Sequence, residues 1–429
     1  MFFLIFSIAL LFFAFLAWRD IRIATILFFG LFPTYLLRIS IFGIPTTLLE
    51  IFFLILFIVW FFRYRGSISL YRLFLKEGQN RQYRIFFVSV LLMILTASIG
   101  LFMNPQKMAA LGIWKAYFIE PVLFFLLTVS VLKTVTYRKW ALIAFAASGI
   151  VVALFAIFQF FTAIGIPVPW DTERRVTSLF PYPNAIGLFL GPLVTMSFFF
   201  LFSHFFTLSL KKRSFLFWVF IVLFGSFALF LSQTEAAWIA VPAAIIIVSF
   251  FVRPLRRFTI PLITLGIIVV LLLPAIHVPL VQKLSLQDFS GQVRLKQWEE
   301  TAYLLKDHWV FGAGLSGYPY VLTSYRLYPE IEVFQYPHQL FFNIWTELGL
   351  MGLVSFILLS FFVLVSFFSS LKKQKEPDWI LLALFAVFLE MVIHGFVDVP
   401  YFKNDLAMMT WGFLALYVGQ VNMKKKMLL

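Results

Sequence analysis

Long apolar runs follow one another along almost the whole chain. Runs that can cross about 30 Å of hydrocarbon lie at 2–18, 23–38, 46–62, 85–103, 108–132, 140–163, 184–203, 215–232, 235–252, 258–276, 338–368, 379–397 and 406–421. The first two runs are short and only four residues separate them, so the pattern predicts 12–13 transmembrane helices. Because isolated spanning segments in lipid satisfy their backbone as helices, we predict an all-α membrane fold, a polytopic helical bundle forming one domain over 1–429.

The composition excludes the other broad classes of protein. The chain is 62% hydrophobic and 12% charged, and it has 59 Phe residues, against roughly 45–50% apolar and about 25% charged residues in soluble proteins. A soluble fold could not bury so much apolar surface, and disordered chains are poor in aromatic residues. The chain has no Cys, which excludes disulfides, thiolate metal sites and cysteine nucleophiles.

The basic residues predict the orientation in the membrane. The net charge of +15 would suggest a nucleic-acid partner in a soluble protein, but here most Lys and Arg residues recur in every second loop, as the positive-inside rule describes. We therefore predict a multi-pass protein of the cytoplasmic membrane with a cytoplasmic C-terminus and no nucleic-acid partner. The side of the N-terminus depends on whether the first run crosses. The basic loops are those around 63–84, 133–139, 211–213, 253–257, 372–375 and 424–426.

One loop on the opposite, outer side is long, from 277 to 337. Within it, residues 292–306 place Leu295, Trp298, Ala302 and Leu305 at helical spacing, which predicts an amphipathic helix with one apolar stripe. A Gly-rich turn follows at 311–318.

Ionisable residues near this loop are the first candidates for chemistry. Arg294 begins the amphipathic helix, where a guanidinium could bind phosphate oxygens in pairs or simply contact water and headgroups. His338 lies where the chain re-enters the membrane and could act as a general base or phosphate ligand, or as an interfacial anchor. Asn343 and Glu347 share a face of the next helix, and an intramembrane carboxylate is a functional candidate.

Further candidates lie in other outer segments. Arg174 and Arg175 lie in an outer loop, although most basic residues lie on the cytoplasmic side. An anionic ligand or a neighbouring carboxylate would explain their position. Glu235 lies between two spans, and His394 and Asp398 end another span four residues apart.

The absence of several known motifs limits the kinds of catalysis that the sequence supports. The sequence has neither His-Glu-x-x-His, nor an Asp-x-Asp pair, nor a phosphate-binding Gly-x-x-x-x-Gly-Lys-Ser/Thr loop. We therefore expect no metal and no cofactor. Arginines, histidines and carboxylates that converge at the outer face suit an anionic, lipid-linked substrate, whose tail would lie between membrane helices.

Four motifs in this order resemble the O-antigen ligase and O-antigen polymerase superfamily. They are Arg294-Leu-Lys-Gln-Trp298, Phe311-Gly-Ala-Gly314, Pro337-His338-Gln-Leu-Phe-Phe-Asn343 and Glu347-Leu-Gly349-Leu-Met-Gly352. Upstream, the segment from Arg175 to Asn184 is similar to the family's Arg…Phe-x-x-Pro-Asn segment. The resemblance covers about 140–420. Two departures stand out: Thr234-Glu235-Ala236 replaces the family's Ser-Arg-Gly, and Gln339 replaces a common Asn.

The resemblance implies a GT-C-like, metal-independent, inverting glycosyltransferase of cell-envelope polysaccharide or lipopolysaccharide biosynthesis. Such an enzyme moves a glycan from a polyprenyl (undecaprenyl) diphosphate carrier to an acceptor hydroxyl at the extracytoplasmic face. By matching position, Arg294 would bind the diphosphate together with Arg174 or Arg175, and His338 would lie at the reaction centre. The expected supporting residues are Asn184, Glu235, Trp298, Asn343, Glu347, His394 and Asp398.

The nature of the acceptor stays open at this point. A ligase would transfer the glycan to a lipid or protein, whereas a polymerase would join repeat units on the carrier. A transporter or flippase of lipid-linked sugars is the alternative from another class, and it should place ionisable groups near the membrane midplane.

Overall fold

The computed structural model describes residues 2–41, 44–64, 81–104, 106–206, 212–272, 281–283, 285–372 and 376–427. Parts of the predicted basic loops, around 65–80, 207–211, 373–375 and 428–429, and the start of the predicted long loop at 277–280 lie outside the described residues.

The described chain is almost entirely helical, as predicted. The helices are α1 (Phe2–Arg19), α2 (Ile21–Gly30), α3 (Leu48–Tyr64), α4 (Arg81–Met103), α5 (Lys107–Ile113), α6 (Glu120–Val131), α7 (Val135–Thr162), α8 (Asn184–Phe206), α9 (Lys212–Leu231), α10 (Glu235–Phe250), α11 (Arg253–Leu272), α12 (Phe289–Asp307), α13 (Tyr318–Leu322), α14 (Leu340–Leu371), α15 (Trp379–His394) and α16 (Asn404–Met427).

Six helical segments in the described part are long and apolar enough to cross a membrane: Arg81–Met103, Lys107–Val131, Val135–Thr162, Asn184–Phe206, Arg213–Leu231 and Leu340–Leu371. Shorter apolar helices accompany them, among them α2, α10 and α15. The polytopic, all-helical membrane fold is thus confirmed. The total number of crossings and the side of each terminus stay predictions.

The apolar run predicted at 23–38 is only partly helical. Helix α2 ends at Gly30, a 3-10 turn covers Phe32–Leu36, and strands β1 (Arg38–Ile41) and β2 (Ile44–Thr47) form an antiparallel hairpin before α3. Pro33 lies inside the 3-10 turn, and a proline in the continuing helix would lack the donor for its backbone hydrogen bond. The hairpin, whose strands read Arg-Ile-Ser-Ile and Ile-Pro-Thr-Thr, joins the apolar runs 23–38 and 46–62 and was not predicted.

Another span changes its winding next to a proline. Helices α5 and α6 are joined by a π-helical turn over Trp114–Ile119, and Pro121 follows in the first turn of α6. Because Pro121 has no N–H, it cannot donate to the carbonyl of Tyr117 four residues earlier. The hydroxyl of Tyr401 donates to that carbonyl instead, so a side chain from the turn before α16 closes the gap in the helix.

The helix predicted in the long loop is present as α12, but only half of its predicted apolar stripe faces the protein: Leu305 is buried and Trp298 is partly buried. Leu295 is 40% exposed and Ala302 is also exposed, whereas Gln297, Glu300 and Leu304 are buried. The buried face is largely polar because it satisfies the backbone of the following segment. Glu300, for example, accepts hydrogen bonds from two consecutive backbone N–H groups, at residues 327 and 328, both at 2.8 Å.

The bundle is packed around its longest helices. Helix α14 lies against α4, and α15 lies against α8 and α10. Phe367 of α14 and Phe385 of α15 stack with ring centroids 3.6 Å apart. We call the end of the bundle at which α14 begins the loop end; the start of α14, the turn 395–403, the segment 163–183 and α12 meet there.

Candidate functional site

His338 occupies a strained turn that α12 holds in place. Its φ of +45° lies in the left-handed region, which costs a side-chain-bearing residue about 1–2 kcal/mol. Two residues of α12 bind the preceding backbone: Trp298 Nε1 donates to the carbonyl of Pro337 and Gln297 Nε2 to that of Tyr336, both at 2.9 Å. The helix thereby fixes the turn and offsets its strain.

The imidazole of His338 faces a buried carboxylate. Its Nδ1 lies 3.8 Å from Oδ1 of Asp398, and the His338 side chain is 24% exposed. Burial raises the pKa of Asp398, but the nearby imidazoles of His338 and His394 and the backbone N–H of Val399 lower that pKa more, to below its ordinary value. Asp398 therefore places a negative charge beside the imidazole of His338.

Arg294 lies one helical turn before Trp298 and is half-buried. Within the described part of the chain its guanidinium makes neither a hydrogen bond nor an ion pair, so its donors are free for a ligand. Arg174 is also free in that sense and fully exposed, and its φ is +49°.

Arg175 is held by protein groups. Its Nε donates to the carbonyl of Ser232 and one Nη to Oδ1 of Asn184, both at 2.9 Å. The same Nη donates to Gln233, and the guanidinium packs on the ring of Trp170. Asn184, a predicted supporting residue, thus orients Arg175.

The electrostatics place the two arginines in one neighbourhood. Burial lowers the pKa of Arg175, the carboxylates of Glu235 and Glu173 oppose that change, and the positive charge of Arg294 lowers the pKa further. Two guanidinium groups within range of each other repel unless an anion lies between them. The pair is therefore suited to a ligand with two or more negative charges.

Glu235 is neutralised by a lysine. Its Oε1 lies 2.9 Å from Nζ of Lys283, which also contacts Oδ2 of Asp288 at 2.9 Å, just before α12. Burial lowers the pKa of Lys283, but the two carboxylates raise it more, to above its ordinary value. Through Lys283, Glu235 therefore connects the start of α10 to the start of α12.

Glu347 and the Gly-rich turn form a structural joint away from His338. Oε2 of Glu347 accepts the backbone N–H of Ser316 at 2.7 Å. Helix α14 breaks at Gly349, whose φ is +73°, and a Cβ there would lie 2.1 Å from the carbonyl oxygen of Val310. At the break, the carbonyl of Thr346 accepts the N–H of Ala313. The two glycine motifs thus pack backbone against backbone.

Two other predicted residues are buried with unsatisfied groups. Both amide atoms of Asn343 are buried and lack a hydrogen-bond partner among the described residues. His394 contacts Oε1 of Glu390 through Nδ1 at 3.2 Å, while its Nε2 has no such partner. Unsatisfied buried groups of this kind need water or a ligand.

The sequence did not single out Lys403. Its Nζ lies 4.2 Å from the centroid of the Tyr182 ring. The rings of Tyr336 and His338 are 4.7 Å apart, and Tyr336 is one of the groups that act on the hydroxyl of Tyr182. In the predicted topology Lys403 lies on the outer side, as Arg174 does, although most basic residues lie on the cytoplasmic side. This unusual position is the sequence signal that could have identified Lys403.

An apolar cavity begins beside this site. A space of about 360 Å³ lies between α14, α15 and α16 and is lined by Leu340, Phe356, Phe388 and Tyr401 among others. Leu340 is two residues beyond His338. Within the described residues, no three His, Cys, Asp or Glu side chains come together to hold a metal ion.

Comparison with known proteins supports the resemblance. No curated protein matches the chain. A family model described as O-Antigen ligase matches residues 219–357, a segment that contains Arg294, Trp298, His338, Asn343 and Glu347. The segment lies within the predicted 140–420, so this part of the chain is similar to the O-antigen ligase family.

Proposed function

We propose that the protein is a glycosyltransferase that moves a glycan from a polyprenyl diphosphate carrier to an acceptor hydroxyl at the extracytoplasmic face of the cytoplasmic membrane. The observation that carries the proposal is that α12, the helix that bears Arg294, binds the turn of His338, whose imidazole faces Asp398. Arg175 is close enough to Arg294 for their charges to act on each other.

The arginines would receive the carrier's diphosphate. Arg294 has free donors, and Arg175 is pre-oriented by Asn184 and two backbone carbonyls. Guanidinium groups bind phosphate oxygens in pairs, and fixed positive charge beside a developing negative charge is usually the largest catalytic contribution. The diphosphate would thereby become a good leaving group. Arg174 is exposed enough to assist as the substrate arrives.

His338 would take the proton of the acceptor. Nδ1 faces Asp398, which leaves Nε2 for the acceptor hydroxyl. The acceptor oxygen forms a bond to the anomeric carbon while the bond from that carbon to the diphosphate oxygen breaks. The proton passes to His338 and then to the released diphosphate or to water. A single displacement of this kind inverts the anomeric centre.

The cavity beside Leu340 would hold the first part of the isoprenoid tail. Its lining is almost entirely apolar, and it leads from the loop end towards the middle of α14 and α16. A carrier with its diphosphate at the arginines could therefore place its tail among membrane helices without crossing the polar site.

A reconstituted transfer assay tests the proposal. Purified protein in nanodiscs is incubated with a polyprenyl diphosphate oligosaccharide and one of three acceptors: an alkyl glycoside, a second lipid-linked unit, or a hydroxyl-bearing peptide. We expect release of free polyprenyl diphosphate together with a glycosylated acceptor. Transfer of one whole glycan indicates a ligase, and stepwise growth on the carrier indicates a polymerase.

Variants connect the activity to the site. Arg294→Gln and His338→Asn should lose transfer, because the first removes the cation and the second removes the imidazole. Asn tolerates the left-handed backbone of residue 338 well. Lys306→Gln, which removes a charge from the far end of the same helix, is the matched control and should retain full activity.

Transport of lipid-linked sugar is the second candidate. It is favoured by the buried pair Glu390 and His394 in α15, because ionisable groups inside membrane bundles mark transport paths. Movement of the intact lipid across a vesicle bilayer, with no release of diphosphate for any acceptor, would support transport and overturn the transferase.

A further inference from the structure

Next to His338 lies a second polar patch that the reaction described above does not use. It consists of Tyr182, Tyr336, Lys403 and Asp405, and we call it the tyrosine patch. Lys403 lies over the face of Tyr182 at 4.2 Å, and Tyr336 contacts the ring of His338 at 4.7 Å. The patch therefore reaches the reaction centre directly.

The patch has free hydrogen-bonding groups. In the described part of the chain no carboxylate lies within ion-pair distance of Lys403 Nζ, and the side chain is partly buried. Asp405 is only 2% exposed, and its Oδ1 has no hydrogen-bond partner among the described residues. A partly buried ammonium and a buried carboxylate oxygen without protein partners are open to a ligand or to water.

The charges around the patch separate it from the two arginines. Burial lowers the pKa of Lys403, and the carboxylates that oppose this change are Asp405 and Asp398. The charges that act on Arg175 are different ones, those of Glu235, Glu173 and Arg294. His338 lies between the tyrosine patch and the arginines: Asp398 faces its imidazole, and α12, which bears Arg294, binds the backbone just before it.

These surroundings suit a sugar better than a diphosphate. The carboxyl groups of Asp398 and Asp405 near Lys403 make this neighbourhood less favourable for a polyanion than that of Arg294. Hydroxyl groups, in contrast, both donate and accept, so they can bind an ammonium and a carboxylate together. Tyrosine faces additionally offer flat apolar area to the C–H surface of a sugar ring.

We propose that the tyrosine patch is the acceptor subsite, in which Lys403 and Asp405 bind hydroxyl groups of a neutral acceptor sugar that lies against Tyr182, with the attacking hydroxyl at His338. The assignment rests on the proposed glycosyl transfer. To that function the assignment adds that the acceptor approaches from the side of Lys403 and Tyr182, and that the acceptor group which is recognised is a neutral sugar.

Two-substrate kinetics test the assignment. Octyl glucoside and octyl galactoside at concentrations below micelle formation serve as acceptors in nanodiscs, and KM is measured separately for the acceptor and for the lipid-linked donor. We expect Lys403→Met and Asp405→Asn to raise the acceptor KM roughly tenfold or more, as for a lost hydrogen bond to a charged group, with the donor KM changed less than about twofold. Lys403→Arg, which keeps the charge, should restore part of the affinity.

Each other result has a defined meaning. A rise in the donor KM with an unchanged acceptor KM would assign Lys403 to the diphosphate and overturn the subsite. Unchanged values for both substrates would overturn it as well. If Lys403→Met does not fold, as judged by its thermal unfolding, Asp405→Asn and Lys403→Arg carry the test. Failure of the wild type to transfer at all would instead refute the proposed function.

Discussion

Trp298→Phe should reduce activity by releasing His338, although Trp298 itself touches no reacting atom. The substitution keeps an aromatic ring but removes the 2.9 Å hydrogen bond from Nε1 to the carbonyl of Pro337. A bond of this kind contributes about 0.5–1.5 kcal/mol, which is similar to the 1–2 kcal/mol or so that the left-handed backbone of His338 costs. Without the bond, the turn should leave its strained conformation for part of the time.

The expected loss follows from these magnitudes. About 1 kcal/mol corresponds to a factor of about five, and a displacement of the imidazole by 1 Å would cost about 10²-fold. We therefore expect kcat/KM for glycan transfer to fall between about 5-fold and 100-fold, while the thermal unfolding temperature changes little. Trp309→Phe is the control, because the Trp309 ring is 52% exposed in the same outer segment.

A double-mutant cycle shows whether the effect passes through His338. In a His338→Asn background, Trp298→Phe should cost almost nothing further, since the group that it positions is already gone. Full activity of the single variant Trp298→Phe, or an equal loss in both backgrounds, would refute the argument that α12 acts by holding this turn.

Three further predictions concern stability and the site's electrostatics. Asp398→Asn should lower the unfolding temperature at pH 6, and the difference from the wild type should shrink as the pH falls below about 3.8. The reason is that a carboxyl group with a depressed folded-state pKa stabilises the fold above its unfolded-state pKa and loses that effect as it is protonated. A difference in unfolding temperature that does not change with pH would contradict this prediction. Gly349→Ala should destabilise the protein by at least 1–2 kcal/mol or so, as its φ is +73°, whereas Gly266→Ala, with open space around its Cβ, should be neutral or stabilising in thermal unfolding. Arg175→Lys should lower kcat/KM about tenfold or more, because a lysine cannot hold the three acceptors of the guanidinium and still bind a phosphate; an unchanged value would remove Arg175 from the site.

The sequence motifs grouped residues that the fold also brings together, because these motifs are local and ordered. The spacing of Arg294 and Trp298 placed them on one helical face, and the structure brings that face to the Pro337–His338 turn. The binding roles of these residues stay predictions. The place of Glu347 could not be foreseen, because its partner, the backbone N–H of Ser316, carries no side-chain signal.

Other features of the structure could not be predicted from the sequence, for physical reasons. The buried face of α12 is largely polar because Gln297 and Glu300 bind backbone groups of the next segment, so apolar periodicity identified only Trp298 and Leu305 on it. The hairpin after α2 is a short pair of strands between two apolar runs. Lys403 is a single lysine in a short turn, and only the folded chain brings it to Tyr182 and His338.

The most direct test of the account is a single-turnover measurement of polyprenyl diphosphate release in nanodiscs, with donor and acceptor bound at saturation. We predict rapid release by the wild type and by Lys306→Gln, a loss of roughly 10²–10³-fold in Arg294→Gln and a loss of roughly 10²–10⁴-fold in His338→Asn. Equal release by Arg294→Gln, His338→Asn and the wild type would contradict the claim that these two residues, joined through α12, form the centre of a glycosyltransferase.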